Sequence, residues 1–367
     1  MKYGLIVHLK TRNIGDDIQC YAMEKFLPRV DYLIDREHLD SFYMKTGEKV
    51  AAILSGWYLK NPMNWPPSPF LKLLPISFHC ANSKGQGIFI LKDYGAEWLK
   101  KIEPIGCRDE GTAELLESYG ISAYISGCFA LMLKPFADVE PHGKIVLVDC
   151  QKEVIDFIKK KTKKKIVLAS HRYAVDRLPP EVVAYAAKHD KKDIIPTSHE
   201  PAQADEPHKK VVHKGSWSYR RALMEGLLKF YQGASLVVTG RLHAALPCLA
   251  MGTPVLMINS EYKLSHYKFS TYTPYVAHTT PEDLLAGNFS FDFDDPLPNP
   301  GGHEKFVKEI RAVCKKFITA CEKSDEPKVD LESWRDYNER ALRLKKIMQT
   351  LLPKAILPNF DLLDNDL

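Results

Sequence analysis

Two side chains able to do chemistry on an anion stand close together in Thr239-Gly240-Arg241-Leu242-His243-Ala244. Arginine is a permanent, two-pronged binder of phosphate or carboxylate, and histidine moves a proton near neutral pH. Together they predict an anionic substrate and acid–base chemistry; the plainer alternative is an arginine closing a strand and a histidine packed under a helix. Ser170-His171-Arg172 offers a second pair of the same kind. In Ile105-Gly106-Cys107-Arg108-Asp109, Arg108 is either an anion ligand or an ion-pair partner of Asp109. Asn13-Ile14-Gly15-Asp16-Asp17 adds carboxylates beside a glycine that lets a ligand come close. Neighbouring carboxylates point to different sides, so one of Asp16 and Asp17 is expected to cap a helix. The other is expected to face a substrate hydroxyl as general base. Ser126-Gly127-Cys128 offers backbone N–H groups, and Trp57 and Trp65 read as a rigid aromatic loop that packs or stacks on a sugar.

The elements that must position these residues alternate along the chain. Strands are predicted over 3–9, 50–54, 74–78, 104–107 and 122–126, with helices over 17–27, 92–101 and 109–119. A Pro-bounded polar link, 134–143, separates these from a second array. There, strands are predicted over 144–149, 165–169, 193–196, 235–239 and 254–258, and helices over 153–161, 178–188, 218–232 and 242–251. Two successive arrays of this kind imply an α/β protein of two doubly wound domains facing across a cleft, residues 1–138 and 139–300. Each reactive cluster then falls where a strand opens into a helix, the usual place for a ligand in open α/β sheets. Residues 286–302 read as a loop, and 301–367 as a C-terminal extension carrying two amphipathic helices.

Composition narrows the class of partner. The 367 residues are 45% hydrophobic and 26% charged, as in a globular protein. A net charge of +5 suits anionic small molecules or peripheral contact with an acidic membrane face, and falls short of a nucleic-acid-binding stripe. No apolar run approaches the ~18 residues of a membrane span. Met1-Lys2-Tyr3-Gly4-Leu5-Ile6-Val7 leads directly into a strand without a signal-peptide pattern, which gives a cytoplasmic expectation. The eight cysteines lack CxxC or metal spacing and read as small, reduced hydrophobes. The lysine-rich stretch 159–165 reads as a solvated helix end. Asp292-Phe293-Asp294-Asp295 resembles a metal-binding Asp-x-Asp, but its place in a Pro-rich loop argues against a metal role.

With these residues in hand, the chain resembles the polysaccharide pyruvyl transferase family. The likeness rests on Asn13-Ile14-Gly15-Asp16-Asp17, Arg108-Asp109 with Leu115-Leu116 and Gly120-Ile121, and Arg241-Leu242-His243 with Gly252-Thr253-Pro254. Gly56-Trp57-Tyr58, Asn64-Trp65-Pro66-Pro67-Ser68, Ile76-Ser77-Phe78-His79 and Ser126-Gly127-Cys128 are similar to a subgroup found in surface-polysaccharide gene sets. The resemblance implies a Rossmann-like pair of domains in a GT-B-like arrangement, needing no metal and no cofactor. It also implies pyruvyl transfer from phosphoenolpyruvate to the hydroxyls of a saccharide or lipid-linked saccharide, forming a ketal. Arg241, Arg108, His171, Arg172, Ser170, Gly252 and Thr253 would then hold the donor. His243 would be the acid, Asp16 or Asp17 the base, and Asn13, Gly15, Ser126, Gly127 and Trp57 would meet the acceptor. Two other functions are compatible with the same residues. One is a glycosyltransferase, with a nucleotide-sugar diphosphate on Arg241 and His171 and Glu261 as the candidate ribose ligand. The other is a non-catalytic lectin-like protein, which the full set of charged strand-end residues argues against.

Overall fold

The computed structural model describes residues 1–58, 64–80, 90–91, 94–172, 177–191, 217–259 and 269–351. Apolar runs such as Leu5-Ile6-Val7 and Ile145–Val148 form strands buried on both faces, as parallel strands covered by helices require. Six strands make the first sheet: β1 (Lys2–Val7), β2 (Tyr32–Asp35), β3 (Val50–Trp57), β4 (Leu71–His79), β5 (Ile105–Cys107) and β6 (Ala123–Ile125). Their order is β2-β1-β3-β4-β5-β6, and every pairing is parallel. The second sheet contains β7 (Ile145–Val148), β8 (Ile166–Ala169), β9 (Leu236–Thr239), β10 (Val255–Ile258) and β11 (Ala277–Thr279). It runs in the order β11-β10-β9-β7-β8, again all parallel. β8 is an edge, and there the apolar Leu168 lies 53% exposed.

The helices are α1 (Ile14–Glu24), α2 (Tyr94–Lys100), α3 (Glu110–Ser118), α4 (Lys152–Lys161), α5 (Pro180–His189), α6 (Trp217–Gln232) and α7 (Leu242–Met251). A short α8 (Pro281–Leu285) precedes the two long C-terminal helices, α9 (Glu304–Lys323) and α10 (Leu331–Leu351). The α/β alternation is therefore as the sequence suggests. β2, β11 and α8 are additions too short to announce themselves by periodicity. The strand predicted over 193–196 lies outside the described residues.

Both sheets reverse direction of growth inside themselves, between β1 and β3 in the first and between β7 and β9 in the second. Adjacent connections leave in opposite directions at such a switch, opening a crevice beyond the carboxyl ends of the strands. A continuous apolar core joins the halves: Ile18 and Met23 of α1 belong to the same buried cluster as Leu227 and Leu228 of α6 and Leu246 of α7. Separate clusters cover the outer faces, one around Phe42, Phe70 and Phe78, the other around Ile158, Val238 and Leu256.

The C-terminal helices return to the first half. Phe306 of α9 lies against Gly127, whose φ of 82° and closeness to that ring (2.7 Å from where a Cβ would stand) require glycine. Beyond α9, Glu326 pairs with Lys49 and Lys72, and Trp334 stacks on Tyr43. All eight cysteines are free thiols. Among the described residues, no helix is long and apolar enough to cross a membrane.

Candidate functional site

The carboxyl-terminal loops of the two sheets meet. Ile14 N–H donates to the His171 carbonyl at 2.7 Å, and Asn13 bridges Arg172 in antiparallel fashion. The loop after β1 is thereby fastened to the loop after β8. Asn13, not Asp16 or Asp17, caps α1: its side chain accepts the Gly15 N–H at 3.0 Å. Both aspartates fall within the first turn, where the helix dipole favours negative charge.

In the second-sheet crevice the organising residue is Asp149, which follows β7 in the left-handed region with φ 49°. Its carboxylate accepts the Ser170 hydroxyl at 2.7 Å, the His171 N–H at 3.1 Å and Arg241 Nε at 3.0 Å. Ser170 Oγ in turn accepts the Arg172 N–H at 3.0 Å. Arg241 occupies the N-cap position of α7, its N–H donating to Thr239 Oγ1 at 2.9 Å. Burial opposes the charged form of Asp149, yet the Ser170 hydroxyl and the Arg241 guanidinium hold its pKa below the usual carboxylate value. Burial acts the other way on His171, which is pushed down to about 4 despite the attraction of Asp149, with Arg241 adding to the drop. It is a neutral imidazole, with Nε2 3.1 Å from the Tyr231 hydroxyl.

His243 stands in the first turn of α7, its second residue, and meets the first half. A Cβ on Gly15 would lie 3.0 Å from both Cβ and Nδ1 of His243. Glycine at position 15 thus lets the N-terminus of α1 approach the imidazole without pressing on it. The structure brings together Arg241, His243, His171, Ser170, Arg172, Asn13 and Gly15, contributed by both sheets.

The two aspartates diverge sharply. Asp17 is wholly buried, and Arg220 of α6 grips it through Nε at 2.8 Å and through Nη2. Arg220 also donates to the His8 carbonyl at 3.0 Å. The expectation that Asp17 faces a sugar hydroxyl is therefore corrected: it is a buried tie between α1 and α6. Asp16 lies in the first-sheet crevice, where it accepts the Thr11 hydroxyl at 2.6 Å and approaches Arg36 Nη1 at 3.4 Å. Burial would raise its pKa, but the Arg36 charge and the Thr11 hydroxyl outweigh burial and hold it far below the ordinary carboxylate range. Arg36 Nη2 also lies 2.8 Å from His8 Nδ1. A guanidinium only donates, so this nitrogen is an acceptor and the imidazole proton resides on Nε2. The 3.4 Å approach of Asp16 to the same Nδ1 is accordingly a contact, not an ion pair. The Arg36 guanidinium stands 5.4 Å from the ring centre of Trp57, at the end of β3, and so fixes one side of that ring.

Farther along the first sheet, Arg108 is buried and its Nε lies 3.3 Å from Asp109. Its carbonyl accepts the Tyr272 hydroxyl, so a segment from the second half closes over it. Asp109 caps α3, accepting the Thr112 N–H at 3.0 Å, and its other oxygen lies 2.7 Å from His79 Nδ1. Burial opposes ionisation here too, but His79, Arg108 and Thr112 keep the carboxylate charged.

Other expected ligands lie elsewhere. Ser126 Oγ bonds the Ser77 N–H and the Cys107 carbonyl, and the Gly127 carbonyl accepts the Ser77 hydroxyl at 2.6 Å. Both residues are spent inside the sheet, beneath α9. Gly252 is the left-handed C-cap of α7, at the end opposite Arg241, and Thr253 follows it. Ten residues at about 1.5 Å each put these two roughly 15 Å along the helix from the crevice. They terminate α7 and do not reach a ligand held by Arg241. Glu261 lies outside the described residues. Asp292 accepts the N–H groups of Asp294 and Asp295 in a turn, and Asp294 pins that turn to Thr162 and Lys163. Among the described residues no cluster of three His, Cys, Asp or Glu side chains is arranged to hold a metal.

Asp149, Arg36, His8 and Arg220 are absent from the residues the sequence singles out, and His79 enters there only through the family resemblance. Asp149 had a signal, since it follows an all-apolar strand as Arg241 and His171 follow theirs. Arg36 follows β2, a strand the sequence pattern does not predict, and Arg220 lies inside a helix, so neither position is marked by its neighbours.

Residues 13–262 match the family model described as polysaccharide pyruvyl transferase. No curated protein matches the chain. Among solved structures it is similar to a functionally uncharacterized protein from Klebsiella pneumoniae subsp. pneumoniae, at 13% identity and a TM-score of 0.42, over 76% of this chain and 93% of that one.

Proposed function

We propose that this chain, which belongs to the polysaccharide pyruvyl transferase family, transfers pyruvyl from phosphoenolpyruvate to two hydroxyls of a saccharide, forming a ketal. The family makes it a transferase acting on polysaccharides; donor and product are our reading. The observation that carries this reading is Arg241, held by Asp149 at the β7/β9 switch, with His243 beside it against Gly15. A guanidinium at a helix N-terminus suits a donor carrying both phosphate and carboxylate. An imidazole in the first turn of the same helix suits delivery of a proton to the donor.

The chemistry balances as follows. His243 protonates the methylene carbon of phosphoenolpyruvate, making it a methyl group and leaving positive charge on the neighbouring carbon. A sugar hydroxyl attacks that carbon and loses its proton. A second hydroxyl then displaces phosphate as the C–O bond to phosphorus oxygen breaks, and its proton leaves with inorganic phosphate. A hydroxyl bonded to a cationic carbon is strongly acidic, so a weak base suffices. Asp16 is such a base, in the same turn as Gly15, while Asp17 is closed off by Arg220. Acid–base assistance of this kind contributes roughly 10²–10⁴-fold. Arg241 and the α7 dipole stabilise charge on the departing phosphate.

We further read the two halves as Rossmann-like domains in a GT-B-like arrangement, with the donor on the second sheet and the acceptor toward Trp57 and the β1/β3 crevice. The acceptor is a saccharide, free or lipid-linked, and the protein works at the cytoplasmic side. The test is incubation with phosphoenolpyruvate and surface-glycan precursors, following the ketal methyl signal by proton NMR together with phosphate release. One phosphate per ketal is expected. His243→Ala should abolish transfer while retaining donor binding. Wild-type transfer by that variant would remove the acid assignment.

A further inference from the structure

Arg241 carries a carboxylate partner, and that is electrostatically costly for a site that takes an anion. A negative charge 3.0 Å from Nε works against any phosphate approaching the same guanidinium. Its presence asks for a compensating role, and the geometry supplies one.

Asp149 engages only one edge of the guanidinium. Among the described residues, the Nη groups of Arg241 make no hydrogen bond. The side chain is 22% exposed, so that edge is reachable from the crevice. Asp149 is itself over-determined: Ser170 Oγ fixes Oδ1, while the His171 N–H and Arg241 Nε share Oδ2. Its backbone is in the left-handed region, which aspartate and asparagine tolerate better than most residues. Finally, His171 is a neutral neighbour, so Asp149 supplies the countercharge that fixes the arginine head.

We propose that Asp149 is a positioning residue: by taking Nε it aims the two Nη groups of Arg241 into the β7/β9 crevice, so that they bind phosphate oxygens side by side. The bidentate geometry rests on the anion-binding role given to Arg241 above. Freed of Asp149, the long arginine side chain samples many rotamers, and the gain from removing a repulsive charge is outweighed by loss of this alignment.

The sign of one substitution separates positioning from simple charge balance. Asp149→Asn keeps the shape and suits the left-handed backbone, but weakens the hold on Nε. Binding of phosphoenolpyruvate, and separately of inorganic phosphate, would be measured by calorimetry on wild type, Asp149→Asn, Arg241→Ala and the double variant. Melting temperature and circular dichroism serve as controls of the fold. Positioning predicts at least a tenfold loss of affinity in Asp149→Asn, and no further loss when it is added to Arg241→Ala. Unchanged or tighter binding in Asp149→Asn would overturn the proposal, because the carboxylate would then act only as a repulsive charge. An equal loss in the Arg241→Ala background would also overturn it. Should Asp149→Asn lose its fold, Ser170→Ala removes one anchor of the carboxylate, and it must show a smaller loss in the same direction. Phosphate binding without phosphoenolpyruvate binding would refute the pyruvyl donor and leave Asp149 to be judged on phosphate. Binding of neither by the wild type would refute both.

Discussion

At the scale of single residues, the site is a set of charges whose roles are decided by what surrounds them. Asp16 and Asp17 are adjacent and chemically alike, yet one opens on a crevice and the other is closed in an ion pair. No spacing rule separates them, because the difference comes from Arg36 and Arg220, which reach them from distant parts of the chain. Cutting the buried pair should be expensive. Asp17→Ala leaves the Arg220 charge without its partner and is expected to cost about 3–5 kcal/mol in denaturant unfolding. A stable Asp17→Ala protein without activity would instead make Asp17 the base. His171 gives a pH signature. Its folded pKa, about 4, lies below the ordinary 6.5, so between these values the unfolded chain binds more protons than the native one. His171 therefore stabilises fully above pH 6.5, and that contribution is lost as pH falls toward 4. His303, also lowered, acts in the same direction, and His38, raised by Asp35, acts in the opposite one. His171→Gln should flatten the dependence of melting temperature on pH in this window. An unaltered slope would show that the ring titrates without cost.

At the scale of elements, the strands and helices that carry the site were largely legible. Ile145–Val148 and Leu236-Val237-Val238 are continuous apolar runs, and α7 spans Leu242–Met251, the bounds predicted for it, before Gly252 caps it. What the chain concealed was partnership between elements. The family resemblance implied that Gly252 and Thr253 hold the donor, but the ten residues of α7 set them at the helix end opposite Arg241. Ser126-Gly127 ended a strand as the ligand residues do, yet the return of α9 covers it. The α1–α7 approach gives a sharp test in Gly15→Ala. Alanine favours the helix by up to about 1 kcal/mol, whereas its methyl group would press on His243 and on Asn13 Oδ1, which lies 3.1 Å from the Cβ position. The melting temperature is expected to stay within a few degrees while turnover falls at least tenfold. Full activity in Gly15→Ala would show that the imidazole has room to move.

At the scale of the whole molecule, the halves are joined by more than a linker. The Asp17–Arg220 pair, the Ile14–His171 hydrogen bond, the cover of Tyr272 over Arg108 and one continuous core all cross between the sheets. Unfolding should accordingly appear as a single calorimetric transition, with two resolved peaks as the contrary result. The C-terminal helices add to this closure. Phe306→Ala would open a cavity beside Gly127 and is expected to cost about 3–5 kcal/mol. The same closure sets Asn13 and Gly15 of the first half against His171, Arg172 and His243 of the second, next to Arg241; that this junction takes the donor is the central claim. Its most direct test is thermal stabilisation by phosphoenolpyruvate against a panel of nucleotide sugars, on wild type and Arg241→Ala. A donor at a hundred times its dissociation constant adds about 2.7 kcal/mol to the native state. The account predicts stabilisation by phosphoenolpyruvate that disappears in Arg241→Ala. Stabilisation by a nucleotide sugar and none by phosphoenolpyruvate would contradict it.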